Sequence, residues 1–249
     1  MTLPELQARA RNNFVTTYIG LAQSARGVRI DTFDPFILCR SDEDVPLANF
    51  AVRFERVTER DWDALQNLGQ KQVSFRAYTM DGDTPAGASA ALMQRGFVRH
   101  GQLRVLARVP DCAQAADPRI VEAISPKDRR EVTDFMVRVF FENRSKGFYD
   151  VISGATSASP FRLFATRFDG RMVGAVMITQ TPTELGLYNL CVQSKSRLQG
   201  IGALMVEQMA SLAHLQRLPL ILQCAPRLKD WYQAKRFAQI ANVESFCLK

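Results

Sequence analysis

The sequence is poor in the residues that build metal sites and disulfide frameworks. Its 249 residues include only two histidines, His100 and His214, and five cysteines that never form a CxxC pair. Scattered cysteines in odd number argue against both a disulfide framework and a structural zinc site. Two histidines are also few for a histidine-based metal site or a Ser-His-Asp triad. We therefore expect no metal cofactor.

Long apolar runs are missing as well. No stretch reaches the ~18 apolar residues that a membrane-spanning helix needs. The first residues, MTLPELQARARNNF, lack the apolar segment that follows a basic one in a secretory signal. These absences predict a cytoplasmic protein with no membrane partner.

Charge of one sign is in excess but is not clustered. The composition, 47% hydrophobic and 23% charged residues, is that of an ordinary globular protein. The formal net charge of +7 favours anionic partners such as phosphorylated cofactors, nucleic acids or acidic proteins. The arginines are spread along the whole chain, and neither an aromatic-basic RNA signature nor a helix-turn-helix is present. Nucleic acid is therefore not expected as a partner.

Apolar periodicity predicts an α/β (α+β) fold for the second half of the chain. The pattern gives a mixed, mostly antiparallel sheet flanked by helices. The predicted strands are Arg119–Ile124, Phe161–Phe168, Arg171–Thr179, Leu185–Val192, Pro219–Cys224 and Phe237–Leu248, the last as one strand or two. The predicted helices begin at the Ser125 cap, cover Phe148–Ser153, begin at Ile201 and cover Arg227–Arg236.

The first half predicts a smaller domain of similar type. Its predicted helices are Leu6–Ala25, Thr58–Leu68 and Ala86–Gln94, and its predicted strands are Phe36–Cys39, Asn49–Phe54, Val73–Tyr78 and Leu103–Val109. The polar stretch Pro110–Pro118 divides the chain into domains 1–112 and 118–249. Val73–Phe97 and Leu220–Phe237 share an element order, which internal duplication or chance can equally explain.

The most informative segment is LGLYNLCVQSKSRLQGIGALMVEQM, residues 185–209. A buried strand enters a basic, glycine-containing turn that opens directly into a helix. Helix N-termini carry unpaired N–H groups and partial positive charge, which bind phosphate groups. Gly200 and Gly202 have no side chain that would keep a phosphate group away from the backbone, and Lys195 and Arg197 add positive charge. A GxGxxG dinucleotide fingerprint and a GxxxxGK[ST] phosphate loop are both absent.

The segment Arg197–Gly202, RLQGIG, resembles the (Gln/Arg)-x-x-Gly-x-(Gly/Ala) signature of the GNAT acetyltransferases. The preceding strand, the following helix and the Asp169-Gly170 hairpin lie where that family has them. The resemblance covers residues 119–249 and implies a GNAT fold with acetyl-CoA as co-substrate. It implies cofactor contacts from Leu190, Cys191, Val192, Arg197, Leu198, Gln199, Gly200, Ile201, Gly202 and Ala203. The pantetheine arm would pair with the backbone of Leu190 and Val192, and the thioester would lie where this strand separates from the strand at Leu220–Cys224.

The resemblance also implies catalytic residues. Tyr232 matches the tyrosine of a Tyr-x-x-x-Gly-Phe pattern and would be the general acid that protonates the CoA thiolate. Arg236 replaces the glycine of that pattern, which could displace Tyr232 or leave it as packing. Gly186 stands where some members have a glutamate base. Glu184 is a weak alternative base acting through water, with a solvated strand-end carboxylate as the plainer interpretation.

The first half, if it is a relative, is a degenerate one. Glu55-Arg56-Val57 has no glycine before the helix at Thr58, and Leu92 replaces the tyrosine that precedes Gly96-Phe97. We expect this half to shape the acceptor pocket or an oligomer contact, such as a homodimer, without binding CoA.

The resulting prediction is N-acetyl transfer from acetyl-CoA to a primary amine of a small molecule or peptide. The segment Gly147–Pro160 is expected over the acceptor, and its Ser, Gly and Ala content indicates a mobile cover. The positive charge weakly favours an acidic acceptor. The alternative is a catalytically inactive CoA-binding or protein-interaction module of the same fold.

Overall fold

The computed structural model describes residues 1–83, 87–142 and 144–248. The helices are α1 (Leu3–Gln23), α2 (Glu59–Lys71), α3 (Ala88–Gln94), α4 (Pro126–Phe140), α5 (Lys146–Ala158), α6 (Ile201–Leu215) and α7 (Lys229–Gln233). The strands are β1 (Arg29–Thr32), β2 (Ile37–Arg40), β3 (Phe50–Val52), β4 (Arg76–Met80), β5 (Phe97–Arg108), β6 (Ile120–Glu122), β7 (Arg162–Phe168), β8 (Arg171–Gln180), β9 (Leu185–Val192), β10 (Leu220–Cys224) and β11 (Ala238–Leu248).

These strands form one sheet in the order β1-β2-β3-β4-β11-β5-β10-β9-β8-β7-β6. Two pairs are parallel, β3 with β4 and β9 with β10, and the other neighbours are antiparallel. The predicted fold class, a mixed and mostly antiparallel sheet flanked by helices, is confirmed.

The two halves of the chain exchange their last strands at the centre of this sheet. Strand β5, from the first half, pairs with β10, while β11, from the second half, pairs with β4. The run β3-α2-β4-α3-β5 has the same order and strand directions as β9-α6-β10-α7-β11. The exchange makes the sheet continuous across the two predicted domains, whose boundaries stay a prediction.

Helices cover both faces of the sheet, as the alternation of buried side chains requires. On one face, α1 and α4 pack with residues such as Tyr188 and Val105. On the other, α6 packs on Leu185 and Leu187, and α2 and α3 pack on the first half of the sheet. No helix in the described part of the chain is long and apolar enough to cross a membrane.

Local signals explain most of the element ends. Ser125 caps α4 by accepting a hydrogen bond from the N–H of Asp128, as predicted, and the Thr58 capping box opens α2. Asp169 and Gly170 both adopt positive φ, 49° and 73°, in the predicted hairpin turn between β7 and β8.

Some predicted bounds were wrong. Strand β4 begins at Arg76, because Val73 lies in a turn and is 85% exposed. The predicted helix Phe148–Ser153 is part of the longer α5, which Ser145 caps. The edge strand β1, Arg29–Thr32, was not predicted. The predicted start of α3, at residue 86, lies outside the described residues.

Candidate functional site

Strands β9 and β10 separate partway along their length. Their parallel pairing covers residues 185–187 with 220–222, although β10 continues to Cys224. Just past that point β9 contains a bulge, because Val176 of β8 faces both Asn189 and Leu190, and Asn189 has a φ of 51°. The sheet therefore opens a gap beside a bulged strand, where the resemblance implies the thioester.

The edge of β9 that faces this gap carries backbone groups without a strand partner. The N–H of Gln193 donates to the carbonyl of Val173, on β8, at 2.8 Å. The backbone N–H and carbonyl of the preceding residue, Val192, therefore point to the opposite edge of β9. The Val192 carbonyl accepts a bond from Nε of Arg197 at 3.3 Å. Leu190 and Cys191 lie in and just after the bulge, at the position expected to contact the pantetheine arm.

The turn after β9 leaves a run of amides free. Among the described residues, none accepts a hydrogen bond from the backbone N–H groups of residues 198–203, and no side chain caps α6. Leu198 and Gly200 adopt positive φ of 65° and 79°, and the Leu198 side chain is fully exposed. A strained, exposed leucine beside unpaired amides at a helix N-terminus is typical of a binding loop for an anion.

The two glycines of this turn have room beside them. Among the described residues, a β-carbon built on Gly200 would meet no atom within 4 Å apart from its own residue and its chain neighbours, and one on Gly202 would lie 3.7 Å from the ring of Trp231. The φ of Gly200 favours glycine in any case. Among the described residues, no side chain therefore fills the space beside Gly200, which lies between the predicted contacts Gln199 and Ile201. The side chain of Ile201 itself is buried in the core.

Tyr232 lies in the core beneath this turn and is only 6% exposed. Its ring contacts Trp231 edge-on at 4.7 Å between centroids and Phe237 at 5.7 Å. Burial, and to a smaller degree Cys224, raises the pKa of the phenol well above its ordinary value of 10. The hydroxyl has no hydrogen-bond partner among the described residues, so it is a protonated donor available to a ligand.

Arg236 keeps the backbone shape that a glycine would give. Its φ is 64°, and the chain after α7 closes with bonds from Lys235 and Phe237 N–H to the carbonyl of Tyr232. The Arg236 guanidinium lies 2.9 Å from the carboxylate of Asp111. The substitution therefore strains this residue without ending the helix differently.

The space beside Gly186, where some family members carry a glutamate, is filled by the first half of the chain. A β-carbon on Gly186 would lie 1.9 Å from Oδ1 of Asn13, a fully buried residue of α1. That oxygen accepts a 3.0 Å bond from the hydroxyl of Tyr188, which accepts one from Gln223 across the gap. Sequence reasoning missed Asn13, since no local pattern links residues 173 positions apart.

Glu184 is not the solvated strand-end carboxylate of the plainer interpretation. It is fully buried, and its carboxylate accepts bonds from Asn12 of α1 at 3.0 Å and from the hydroxyl of Thr183. Five residues of strand, at ~3.3 Å each, separate it from the bulge at Asn189. The interpretation failed because α1 covers the start of β9.

In the first half of the chain, the corresponding turn precedes α2, and the N-terminus of α2 differs from that of α6. The carboxylate of Asp61 accepts bonds from the N–H of Thr58, at 2.9 Å, and from its hydroxyl, at 2.6 Å. Glu59 adds a second acid to the first turn of α2. These acids would repel an anion, in keeping with the prediction that this turn does not bind CoA. Leu92, at the tyrosine position, is fully buried.

The gap beside a bulged strand, the free amides and the buried tyrosine coincide with a match to a known family. Residues 150–243 match the model of the acetyltransferase (GNAT) domain of PanZ. This segment of the chain is a GNAT domain. Among curated protein sequences no significant match is found.

Solved structures extend the likeness of fold to nearly the whole chain. A GCN5-related N-acetyltransferase from Kribbella flavida is 17% identical with a TM-score of 0.65, covering 96% of this chain and 94% of that one. A putative GNAT acetyltransferase from Novosphingobium aromaticivorans is 16% identical with a TM-score of 0.58, covering 88% and 90%. A tandem GNAT protein from the clavulanic acid biosynthesis pathway is 11% identical with a TM-score of 0.57, covering 89% and 83%.

No group of three or more His, Cys, Asp or Glu side chains in the described ranges is arranged to hold a metal ion. The cysteines are free, with Cys39, Cys191 and Cys224 buried in the core. Burial raises the pKa of Cys191 to about 12, which keeps this thiol protonated and unreactive beside the expected pantetheine site.

Proposed function

We propose that this protein is an acetyl-CoA-dependent N-acyltransferase that acetylates a primary amine of a small molecule or peptide. The observation that carries the proposal is the run of six amides at residues 198–203 for which the described residues offer no acceptor, in a turn with room beside Gly200. Converging amides at a helix N-terminus bind a pyrophosphate well. GNAT membership supports the choice of acetyl-CoA as donor.

The transfer would proceed in the gap between β9 and β10. The acceptor nitrogen attacks the thioester carbonyl carbon, and backbone N–H groups at the bulge near Leu190 stabilise the resulting oxyanion. Collapse restores the carbonyl and breaks the carbon–sulfur bond. The hydroxyl of Tyr232 donates its proton to the departing thiolate and regains one from solvent.

Proton removal from the amine is assigned to water rather than to a side chain. Gly186 carries no acid, and Asn13 fills the adjoining space with an amide that is not basic. Glu184, the weak candidate base, would need several waters to reach the bulge. Its bonds to Asn12 and Thr183 support a structural role, holding α1 against the start of β9.

An inactive CoA-binding module of the same fold is the second candidate. The observation that favours it is the filled space at Gly186, which leaves no base on β9. CoA release measured over a panel of amines separates the two candidates. Acetyl-CoA binding without turnover of any amine would support the module.

Acetyl-CoA should raise the melting temperature of the protein. At 100 times the Kd, a ligand stabilises by ~2.7 kcal/mol, or roughly 5–10 °C for a chain of this size. Gly200→Glu places a carboxylate in the anion site and should abolish the shift. Gly87→Glu is the matched control, because Gly87 is also a helix N-cap with positive φ and open space around it. An unchanged melting curve of the wild type would contradict the proposal.

A further inference from the structure

A cavity of about 310 Å³ lies on the α1 and α4 face of the sheet, where the two halves of the chain meet. Helix α1 contributes Thr17, Tyr18 and Leu21, and Tyr78 comes from β4. Helices α4 and α5 form the opposite wall. The segment Gly147–Pro160, expected as a mobile cover, thus lies beside this cavity and forms most of helix α5.

The walls of this cavity carry no charge. None of the described residues that line it is Asp, Glu, Lys, Arg or His. Six aromatic rings and several aliphatic side chains dominate, and they are Tyr18, Tyr78, Phe140, Phe141, Phe148, Tyr188, Leu21, Leu47, Met136, Val137, Ile152 and Met177. Burial holds the pKa of Tyr78 at about 12, so this phenol stays neutral as well. A charged group entering here would lose its hydration without gaining a partner.

The floor of the cavity is the strand bulge itself. Tyr188 and Asn189 line it, and they directly precede Leu190 on β9. A molecule held in the cavity would therefore end beside the gap between β9 and β10, where the thioester is expected. The cavity and the anion-binding turn lie on opposite faces of the sheet, since α6 packs on the other face.

We propose that this cavity binds the uncharged, apolar body of the amine acceptor, an arylalkyl or medium-chain alkyl group, with the amine at the bulge. The proposal rests on the proposed function and names its substrate class. It replaces the expectation of an acidic acceptor, because the net charge of the chain does not extend to the lining of this cavity. The positive residues lie elsewhere on the molecule.

The volume sets the size of the group. A dry apolar cavity of roughly 150 Å³ accepts benzene. A cavity of about 310 Å³ therefore has room for a phenylethyl group or an alkyl chain of roughly eight carbons. Each methylene buried should raise kcat/KM roughly fourfold until the cavity is full.

The test compares amines of equal length but different charge, with acetyl-CoA at saturation. Octylamine and 2-phenylethylamine should have the highest kcat/KM and butylamine a lower one. The matched amines 1,8-diaminooctane and 8-aminooctanoate, which carry a second charge, should fall at least roughly tenfold below octylamine. A preference for either charged amine, or no dependence on chain length, would overturn the proposal.

Two further arms separate this proposal from its rivals. Octanoyl-CoA should be no better a donor than acetyl-CoA, and a strong preference for it would mean that the cavity holds the acyl chain instead. Acetyl transfer restricted to charged amines would sink the cavity assignment while leaving the proposed function intact. Absence of acetyl-CoA binding would sink the proposed function itself.

A variant tests the cavity without relying on turnover. In CoA-saturated protein, octylamine should raise the melting temperature of the wild type. Ile152→Glu places a carboxylate in the cavity wall and should remove that rise. Ala158→Glu, on the same helix but outside the cavity lining, should retain it. A rise that survives Ile152→Glu, or is absent from the wild type, would contradict the proposal.

Discussion

The turn before α6 and the turn before α2 occupy equivalent places in the two halves of one sheet, yet their helix N-termini differ. At residues 198–203 the backbone amides have no acceptor in the described part of the chain, and there is room beside Gly200. Before α2, Thr58 and Asp61 form a capping box that puts a carboxylate at the helix start. The same backbone plan thus gives amides without an acceptor in one half, where we propose an anion site, and a self-capped helix in the other.

The difference shows how the first half would contribute without binding a cofactor. Asn13 of helix α1 fills the space beside Gly186, and Asn12 donates a hydrogen bond to the carboxylate of Glu184. The same helix contributes Thr17 and Tyr18 to the lining of the cavity. We therefore propose that the first half shapes the acceptor site, as the sequence led us to expect. A homodimer stays a prediction.

Replacing the tyrosine that distinguishes the two halves should have the largest effect. Leu92 holds the corresponding place in the first half, so a hydroxyl is not needed there for packing. Tyr232→Phe should lower kcat roughly 100-fold by removing the proton donor, with acetyl-CoA affinity unchanged. Steady-state kinetics and titration calorimetry measure the two quantities. An unchanged kcat would reduce Tyr232 to a packing residue.

The pH profile of the wild type sharpens the same point. Burial raises the pKa of Tyr232 above its ordinary value of 10, so the phenol stays protonated as the pH approaches 10. The wild-type kcat should therefore not decline over that range through loss of this proton. A decline present in the wild type and absent from Tyr232→Phe would show that the phenol titrates normally.

The contact between the halves should be sensitive to one methyl group. Gly186→Ala cannot be accommodated beside Asn13 and should lower the free energy of unfolding by ~1–3 kcal/mol. Asn13→Ala alone costs about as much, because the Tyr188 hydroxyl loses its acceptor. Removing the Asn13 side chain relieves the closest of the contacts at 186 but leaves the Tyr188 ring at 2.6 Å from the new β-carbon. The double variant should therefore lose less stability than the sum of the two single losses.

Chemical denaturation of the four proteins measures this coupling, and strict additivity would contradict the contact. Gly147→Ala is the control for the glycine change, because a β-carbon there meets nothing within 4 Å. Its helical position predicts a small gain in stability instead.

The turns after α3 and α7 should give the smallest effects. Gly96 and Arg236 both adopt positive φ, of 81° and 64°, before equivalent phenylalanines. Gly96→Ala should cost ~1 kcal/mol of stability through backbone strain alone. Arg236→Gly should relieve the same strain and slightly raise the melting temperature, despite losing Asp111. Opposite signs in thermal melts would confirm the equivalence, and equal signs would contradict it.

Local signals in the sequence predicted most of the fold and the loop in which we propose the anion site. Strand β9 has the predicted bounds, the Asp169-Gly170 turn joins β7 and β8, and α6 begins at Ile201, because short-range periodicity and turn residues determine each of them. The motif RLQGIG lies within one short segment, so the phosphate-binding role proposed for it can be inferred without knowing the tertiary structure.

Features that depend on distant contacts could not be predicted. The filled space at Gly186 depends on Asn13, and the burial of Glu184 depends on Asn12. The exchange of β5 and β11 is a property of the whole sheet, which no local pattern encodes. The sequence led us to expect Gly147–Pro160 beside the acceptor but not the other residues that line the cavity, because they come from elements spread between Thr17 and Asn189.

Amide hydrogen exchange tests the central claim most directly, because it compares the two turns in one experiment. Peptides covering residues 194–204 and 53–61 would be followed with and without saturating acetyl-CoA. We predict that acetyl-CoA slows exchange in the first peptide by about tenfold or more and leaves the second unchanged, since Glu59 and Asp61 at the start of α2 would repel a pyrophosphate. No protection at residues 198–203, or equal protection of both peptides, would contradict the account.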